Sequence, residues 1–173
     1  MPVPYLQDFK VSQVYKANIH KGIDLVGLSD KTIVSTIDGI VEAVRWDTHY
    51  TGGFGLYVRV REHGTGYYHY FCHLASASVK VGDEVKVGTV IGTEGSTGHS
   101  TGSHLHYEIR KTLSNTTFID PTPLLGIPNE LGTHQAALTY ESLYKELVIG
   151  NAELQRLYEE AKDKLNKIAE VLK

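Results

Sequence analysis

The sequence predicts a mainly β fold: a compact antiparallel β-sheet domain followed by a C-terminal α-helical, coiled-coil-like tail. Three observations predict it. From Thr32 to Arg110, β-branched and aromatic residues gather in short runs cut by glycine turns. After Pro128 glycines nearly vanish, and helix formers with interleaved charges take over from Ala136. A chain of 173 residues, 41% of them hydrophobic, is large enough for one core and one appendage. The expected division is residues 1–130 for the β domain and 131–173 for the tail.

In chain order, Ile33–Thr36 and Ile40–Val44 flank Asp38-Gly39, a dipeptide suited to the φ > 0 positions of a tight turn, so the two segments read as a hairpin. Thr51-Gly52-Gly53-Phe54-Gly55 opens a strand over Leu56–Arg61, in which Leu56, Val58 and Val60 share a core-facing side. In the next strand, Tyr67–Leu74, alternation puts His69, Phe71 and His73 on one side and Tyr68, Tyr70, Cys72 and Leu74 on the other. Val79–Gly88 and Thr89–Gly92 read as two small turns ending in a strand. Lipoyl and biotinyl carrier domains share that pattern but need a modifiable lysine in a Met-Lys-Met or Asp-Lys-Ala tip, and none occurs. Gly95–Gly102 is a Gly/Ser/Thr loop leading into His104, with small residues that leave a ligand room to approach the backbone. In the tail, Tyr140, Leu143, Leu147, Leu154, Leu157, Ala161, Leu165, Ile168 and Leu172 recur at three-and-four spacing, interrupted at Gly150. That seam predicts a helical hairpin or one kinked helix and a homo-oligomer formed through it.

Composition excludes several functions. Net charge is −3 with neutral histidines, which offers no basic field to nucleic acid or anionic lipid. No apolar run approaches the roughly 20 residues that span a bilayer, so membrane insertion is not expected. The single cysteine, Cys72, rules out an intramolecular disulfide and a Cys-rich structural metal site, and reads as a small buried hydrophobe. The opening Met-Pro-Val-Pro-Tyr-Leu-Gln-Asp has neither a basic nor an apolar signal region, so the expectation is synthesis in the cytoplasm without a signal peptide.

All nine histidines precede residue 135, which assigns the chemistry to the β domain. In His104-Leu105-His106, strand alternation points both imidazoles the same way, with Cα atoms about 7 Å apart. His20-Lys21-Gly22-Ile23-Asp24 adds an imidazole and a carboxylate. Zinc enzymes commonly bind the ion through three ligands of the His and Asp/Glu type and leave the fourth position to water. These four residues supply that number with one histidine to spare for proton transfer. Glu108 falls on the His104/His106 side, where a carboxylate can orient a ligand histidine.

These segments together resemble the lysostaphin-like, LytM-type zinc endopeptidases of bacterial cell walls. The resemblance runs from about Val11 to Leu125 and rests on His-x-x-x-Asp at His20 and Asp24, aromatic-x-His-Leu at Phe71–Leu74 and His-x-His at His104 and His106, in that order. Val79–Gly92 and Ser96–Ser103 look like the family's intervening segments as well. The resemblance implies one zinc per domain held by His20, Asp24 and His106, with His73 and His104 beside the open position as proton-transfer groups. Tyr15 matches loosely a groove-side tyrosine whose hydroxyl donates to a developing oxyanion. The stretch Val14–Ile19 lacks the aromatic-glycine pattern usual before the first ligand. The implied activity is hydrolysis of stem or cross-bridge peptides of peptidoglycan in an active-site groove, with glycine-lined loops at Gly52–Gly55 and Gly95–Gly102 accepting an extended peptide. A phage endolysin, released to the wall through a holin-like lesion, is the expected setting; a non-catalytic regulator or phage structural component is the alternative. His69 is expected to be solvated or to support the site, His99 to brush substrate, and His49, His63 and His134 to face solvent.

Overall fold

In the structure, a computed structural model, residues 3–47, 53–114, 116–134 and 156 are described. The chain divides into two units at residues 137/138. Apart from Arg156, the tail expected to be helical and coiled-coil-like lies outside the described residues beyond His134, as does His49. No helix among the described residues is long and apolar enough to cross a membrane.

The β domain consists of strands β1 (Phe9–Gln13), β2 (Ile23–Gly27), β3 (Thr32–Val34), β4 (Gly39–Asp47), β5 (Gly55–Glu62), β6 (Tyr68–Leu74), β7 (Ser76–Ala77), β8 (Glu84–Val85), β9 (Val90–Thr93), β10 (Leu105–Arg110), β11 (Phe118–Ile119) and β12 (Gly132–His134), with a short helix α1 (Thr122–Leu125). The main sheet runs β12-β1-β2-β10-β6-β5-β4-β8, with β11 on β10; β3, β9 and β7 form a second sheet. Every strand pairing among the described residues is antiparallel.

β10 sits inside the main sheet and is buried along its whole length. Leu105, Tyr107 and Ile109 are fully buried in the core with Phe9, Val11, Ile23, Leu25, Val58, Val60 and Phe71. The opposite side of the strand carries His106, Glu108 and Arg110, and all three are buried as well. The strand's alternation of apolar and polar residues therefore marks two buried faces, a core and a polar site, and not a core and a solvent face. β2, with the sequence IDLVG, is buried on both sides and shows no such alternation, and the strand reading from Thr32 onward misses both β1 and β2.

Four other expectations are corrected. Asp38-Gly39 does not turn a hairpin: β3 pairs with β9, and β4 with β5 and β8. The Asp38 carboxylate instead accepts from the Val87 amide and the Lys86 ammonium, which ties it to the β8–β9 turn. The domain extends past residue 130, because β12 supplies an edge strand against β1. His134 on that strand stacks on Phe9 at 5.8 Å and is half-buried. His69 is neither solvated nor beside the site; it is fully buried with Nδ1 2.6 Å from the Tyr107 hydroxyl, which in turn lies 2.7 Å from Thr36 Oγ1.

Burial pushes the His69 imidazole down to about 4, against a smaller upward pull from the Glu62 carboxylate. In the unfolded chain the ring takes its proton near 6.5, whereas the folded protein keeps it neutral to about pH 4. The unfolded state therefore binds more protons across that window, so stability falls as pH drops below 6.5, and the loss is complete once the folded pKa is passed. The expected contribution is on the order of 1 kcal/mol per pH unit. Urea unfolding between pH 4.5 and 7 should give a shallower pH slope for His69→Phe than for the parent; equal slopes would show that the ring titrates alike in both states.

Candidate metal centre

Register creates the centre. β2 and β10 place Asp24 directly opposite His106, and the turn before β2 brings His20 over the pair. His20 Nε2 lies 3.1 Å from Asp24 Oδ1 and 3.2 Å from His106 Nδ1, and His106 Nδ1 lies 2.7 Å from Asp24 Oδ1. Gly22 makes this approach possible: a Cβ there would lie 2.6 Å from the Tyr107 carbonyl oxygen and 2.8 Å from the His106 ring. Asp24 and His106 are each 8% exposed, so these polar atoms converge where water gives them little help.

The remaining ring nitrogens show which atoms are offered to an ion. His20 Nδ1 donates to the Val14 carbonyl at 2.9 Å, which leaves the Nε2 lone pair facing inward. His106 Nε2 donates to Glu108 Oε1 at 3.0 Å, leaving Nδ1 inward. Two lone pairs and a carboxylate oxygen at such separations repel unless a cation sits among them. Tetrahedral ligands about 2.0–2.1 Å from an ion stand about 3.3 Å apart, so two imidazoles and a carboxylate fit a divalent metal. With a proton in place of a metal, burial pushes the Asp24 carboxyl up, but the His106 and His20 imidazoles against it outweigh that and hold it well below the usual range. For His106, burial pushes down but the Asp24 and Glu108 carboxylates outweigh it and raise the ring to about 9.

Glu108 supports this arrangement, as its place on the strand suggests. Its Oε2 accepts from Arg110 Nε at 2.8 Å and also from Nη2. The Arg110 guanidinium lies over the rings of Tyr70 at 4.4 Å, Phe118 at 4.9 Å and Phe54 at 5.5 Å. His106 is thus steered by a carboxylate that is itself held by an arginine packed among aromatics. Alternation through positions 106, 108 and 110 carried this signal for Arg110, which the sequence reading passed over.

His73 reaches the site by breaking strand alternation. Its neighbours behave regularly: Tyr70 and Cys72 pair with Glu108 and His106, while Phe71 pairs with Tyr107 on the core side. Continued alternation would bury His73 in the core. Between Phe71 and Leu74, however, β6 spends three steps where β5 spends two, a bulge in which His73 adopts φ 63°. The ring turns toward His104, 4.7 Å between centroids, and toward His106 at 5.9 Å. A non-glycine residue in this region costs roughly 1–3 kcal/mol and needs surroundings that hold it. They are present: the His73 amide donates to Phe54 O at 2.8 Å, and Nδ1 donates to Thr97 O at 2.7 Å. Thr97 Oγ1 bonds Leu74 O and the Leu56 amide.

The glycines of these loops serve that same contact. Gly55 and Gly98 both have positive φ, and a Cβ on either would lie 2.3 Å from backbone of the other segment. At these two positions smallness serves backbone packing, while Gly102, in the loop of Gly98, has open space where a side chain would stand. Cys72 faces His106 across the strands, so it is not on the far side of the sheet from the site. It is fully buried, and burial pushes its thiol well up, which leaves it inert as a nucleophile.

His104 stands just before β10, with Nδ1 donating to Gly102 O at 2.8 Å and Nε2 3.7 Å from Asp24 Oδ2. His99 is exposed, held through its amide to Gly53 O, and His63 is exposed beside Glu84 at 2.7 Å. Tyr15 is fixed through its backbone: its amide donates to Asn129 Oδ1 at 2.9 Å and its carbonyl accepts from Asn129 Nδ2 at 3.0 Å.

Removing the carboxylate behind His106 should loosen the metal without removing a ligand. Glu108→Ala is expected to weaken zinc affinity by about 10- to 100-fold in calorimetric titration. Unchanged affinity would show that His106 needs no such support.

Comparison with known proteins agrees with this geometry. The model of peptidase family M23 matches residues 18–121. Glycyl-glycine endopeptidase ALE-1 of Staphylococcus capitis is 38% identical over 109 residues, covering 61% of this chain and 29% of that protein. Peptidoglycan DD-endopeptidase ShyC of Vibrio cholerae is 42% identical over 89 residues, covering 51% and 19%. The catalytic domain of the antimicrobial peptidase lysostaphin from Staphylococcus simulans superposes with a TM-score of 0.58 at 31% identity, covering 67% of this chain and 89% of that one. The chain spans less than a third of the length of the curated relatives it matches. With the family's match covering the whole β2–β10 centre and most of the sheet around it, the chain belongs to peptidase family M23.

Proposed function

We propose that this chain is a zinc endopeptidase that hydrolyses peptide bonds in the stem or cross-bridge of bacterial peptidoglycan. The observation that carries the reading is the convergence of His20 Nε2, Asp24 Oδ1 and His106 Nδ1, with two further imidazoles beside them. A glycyl-glycine endopeptidase and a peptidoglycan DD-endopeptidase among its relatives support this substrate class and span both kinds of bond. A purely binding role would sit more naturally with a lost ligand, and none is lost.

Zinc bound to these three residues would lower the pKa of water toward about 7 and polarise a carbonyl oxygen. Proton movement falls to His73 and His104. Each gives Nδ1 to a backbone carbonyl, so each presents Nε2 to the reacting groups. Burial pushes the His73 ring down to about 4, which keeps it neutral at physiological pH with the Nε2 lone pair unprotonated. Tyr15 is the candidate donor to the oxyanion; burial raises its pKa, so its hydroxyl keeps its proton.

His73→Ala and His104→Ala are expected to lower turnover by roughly 10²-fold or more with zinc retained, and His106→Ala to lose zinc. Mass spectrometry of fragments released from purified sacculi of differing cross-bridge chemistry reads the cleaved bond. Absence of peptide-bond products from every sacculus, with zinc bound, would overturn the proposal.

We further propose that the tail beyond Gln135 mediates self-association and is dispensable for hydrolysis. Its support is the apolar seam of the sequence. Because β12 belongs to the sheet, the shortened chain must end after His134, not near Glu130. Light scattering should show an oligomer for the full chain and an active monomer for the shortened one; equal mass per chain in both would assign the seam to packing within one molecule.

A further inference from the structure

Glu94 is a carboxylate with no place in the chemistry above and an unusual setting. It follows β9 and opens the small-residue loop leading to His104. Its side chain is 0% exposed. Burying a carboxylate is costly unless every oxygen is satisfied. Here both are: Oε2 accepts from the Tyr5 hydroxyl at 2.5 Å and the Gly27 amide at 2.7 Å, and Oε1 accepts from Lys31 Nζ at 2.7 Å and Ser103 Oγ at 2.6 Å.

Those donors are not scattered. Gly27 ends β2, the strand of Asp24, and Ser103 immediately precedes His104. The backbone repeats the tie, since the Glu94 amide donates to Lys31 O at 2.8 Å and the His104 amide to Gly95 O at 3.0 Å. One buried charge thus joins the end of the strand bearing one metal ligand to the entry of the strand bearing another. His104 needs such a tie, because it lies outside the β10 ladder and its Nδ1 is anchored within the loop itself, at Gly102 O (2.8 Å) and Ser100 Oγ (3.4 Å).

We propose that Glu94 is a positioning residue: through Ser103 it fixes the loop that aims the His104 imidazole at the metal centre. This rests on the role given to His104 above. Charge-assisted bonds to a desolvated carboxylate are the strong kind, and a small misplacement of a proton-transfer group costs turnover more than binding.

Glu94→Gln removes the charge that holds Lys31 and Tyr5 and endangers folding, so Ser103→Ala is the deciding variant. It removes one hydroxyl and leaves the other three donors on Glu94. The full zinc-loaded chain is read two ways, by ring ¹⁵N–¹H NMR of its histidines and by kcat and KM on a muropeptide dimer. Expected are a shifted or broadened His104 ring signal with His20 and His106 unmoved, and a kcat lowered roughly 10-fold at unchanged KM. Ser103→Thr, which keeps the hydroxyl, should restore both. A His104 signal identical to the parent's overturns the proposal, whatever the kinetics. A moved signal with unchanged kcat also overturns it; if His104→Ala is then fully active too, the fault lies in the role assigned to His104.

Discussion

The cross-strand pairing of β2 with β10 is the constraint on which this molecule depends. It sets Asp24 opposite His106, and a slip of one residue would send His106 into the core and Tyr107 into the metal centre. Two kinds of packing hold the register. On one side Leu105, Tyr107 and Ile109 fill the core; on the other, the His106–Glu108–Arg110 chain runs under a cover of aromatic rings. Polar groups buried this deeply stabilise the fold only when satisfied, and each member of that chain has its partner.

The centre draws on three regions far apart in sequence, held by different means. His20 stands in the turn before β2 and Asp24 on β2 itself, and their approach to β10 depends on the missing side chain of Gly22. His106 is supplied by the central ladder. His73 comes from a bulge, where unfavourable backbone geometry is held by hydrogen bonds to Phe54 and Thr97 and by close contact between two glycine segments. Strain at one residue is therefore offset by the order of two loops, which is how a strand can present a side chain against its own alternation.

Electrostatics and geometry agree on what the centre favours. Without a metal, the three inward atoms leave His106 with a strong hold on a proton while Asp24 remains ionised. Such a site favours positive charge, and a divalent ion answers that demand at all three atoms where a proton answers it at one. His73, by contrast, is kept neutral by burial, with a carbonyl fixing its tautomer. Neighbouring imidazoles are thus pushed in opposite directions, His106 up by its two carboxylates and His73 down by burial.

The sequence by itself determined the residues of the centre: His20, Asp24, His104 and His106 stand at spacings that suit a metal site, the family resemblance adds His73, and the glycine-cut alternation names an antiparallel sheet. It also placed Glu108 correctly, because period-two alternation is local geometry. Tertiary structure alone decided the rest. That Asp38-Gly39 is no hairpin, that β12 closes an edge, and that His69 is core depend on which strands become neighbours, and turn propensity does not encode that choice. The bulge at His73 depends on Thr97 and Phe54 from other loops, so no reading of β6 could find it. Glu94 gave no signal at all, since a carboxylate in a glycine loop reads as solvated until the donors at Tyr5, Gly27, Lys31 and Ser103 are brought around it by the fold.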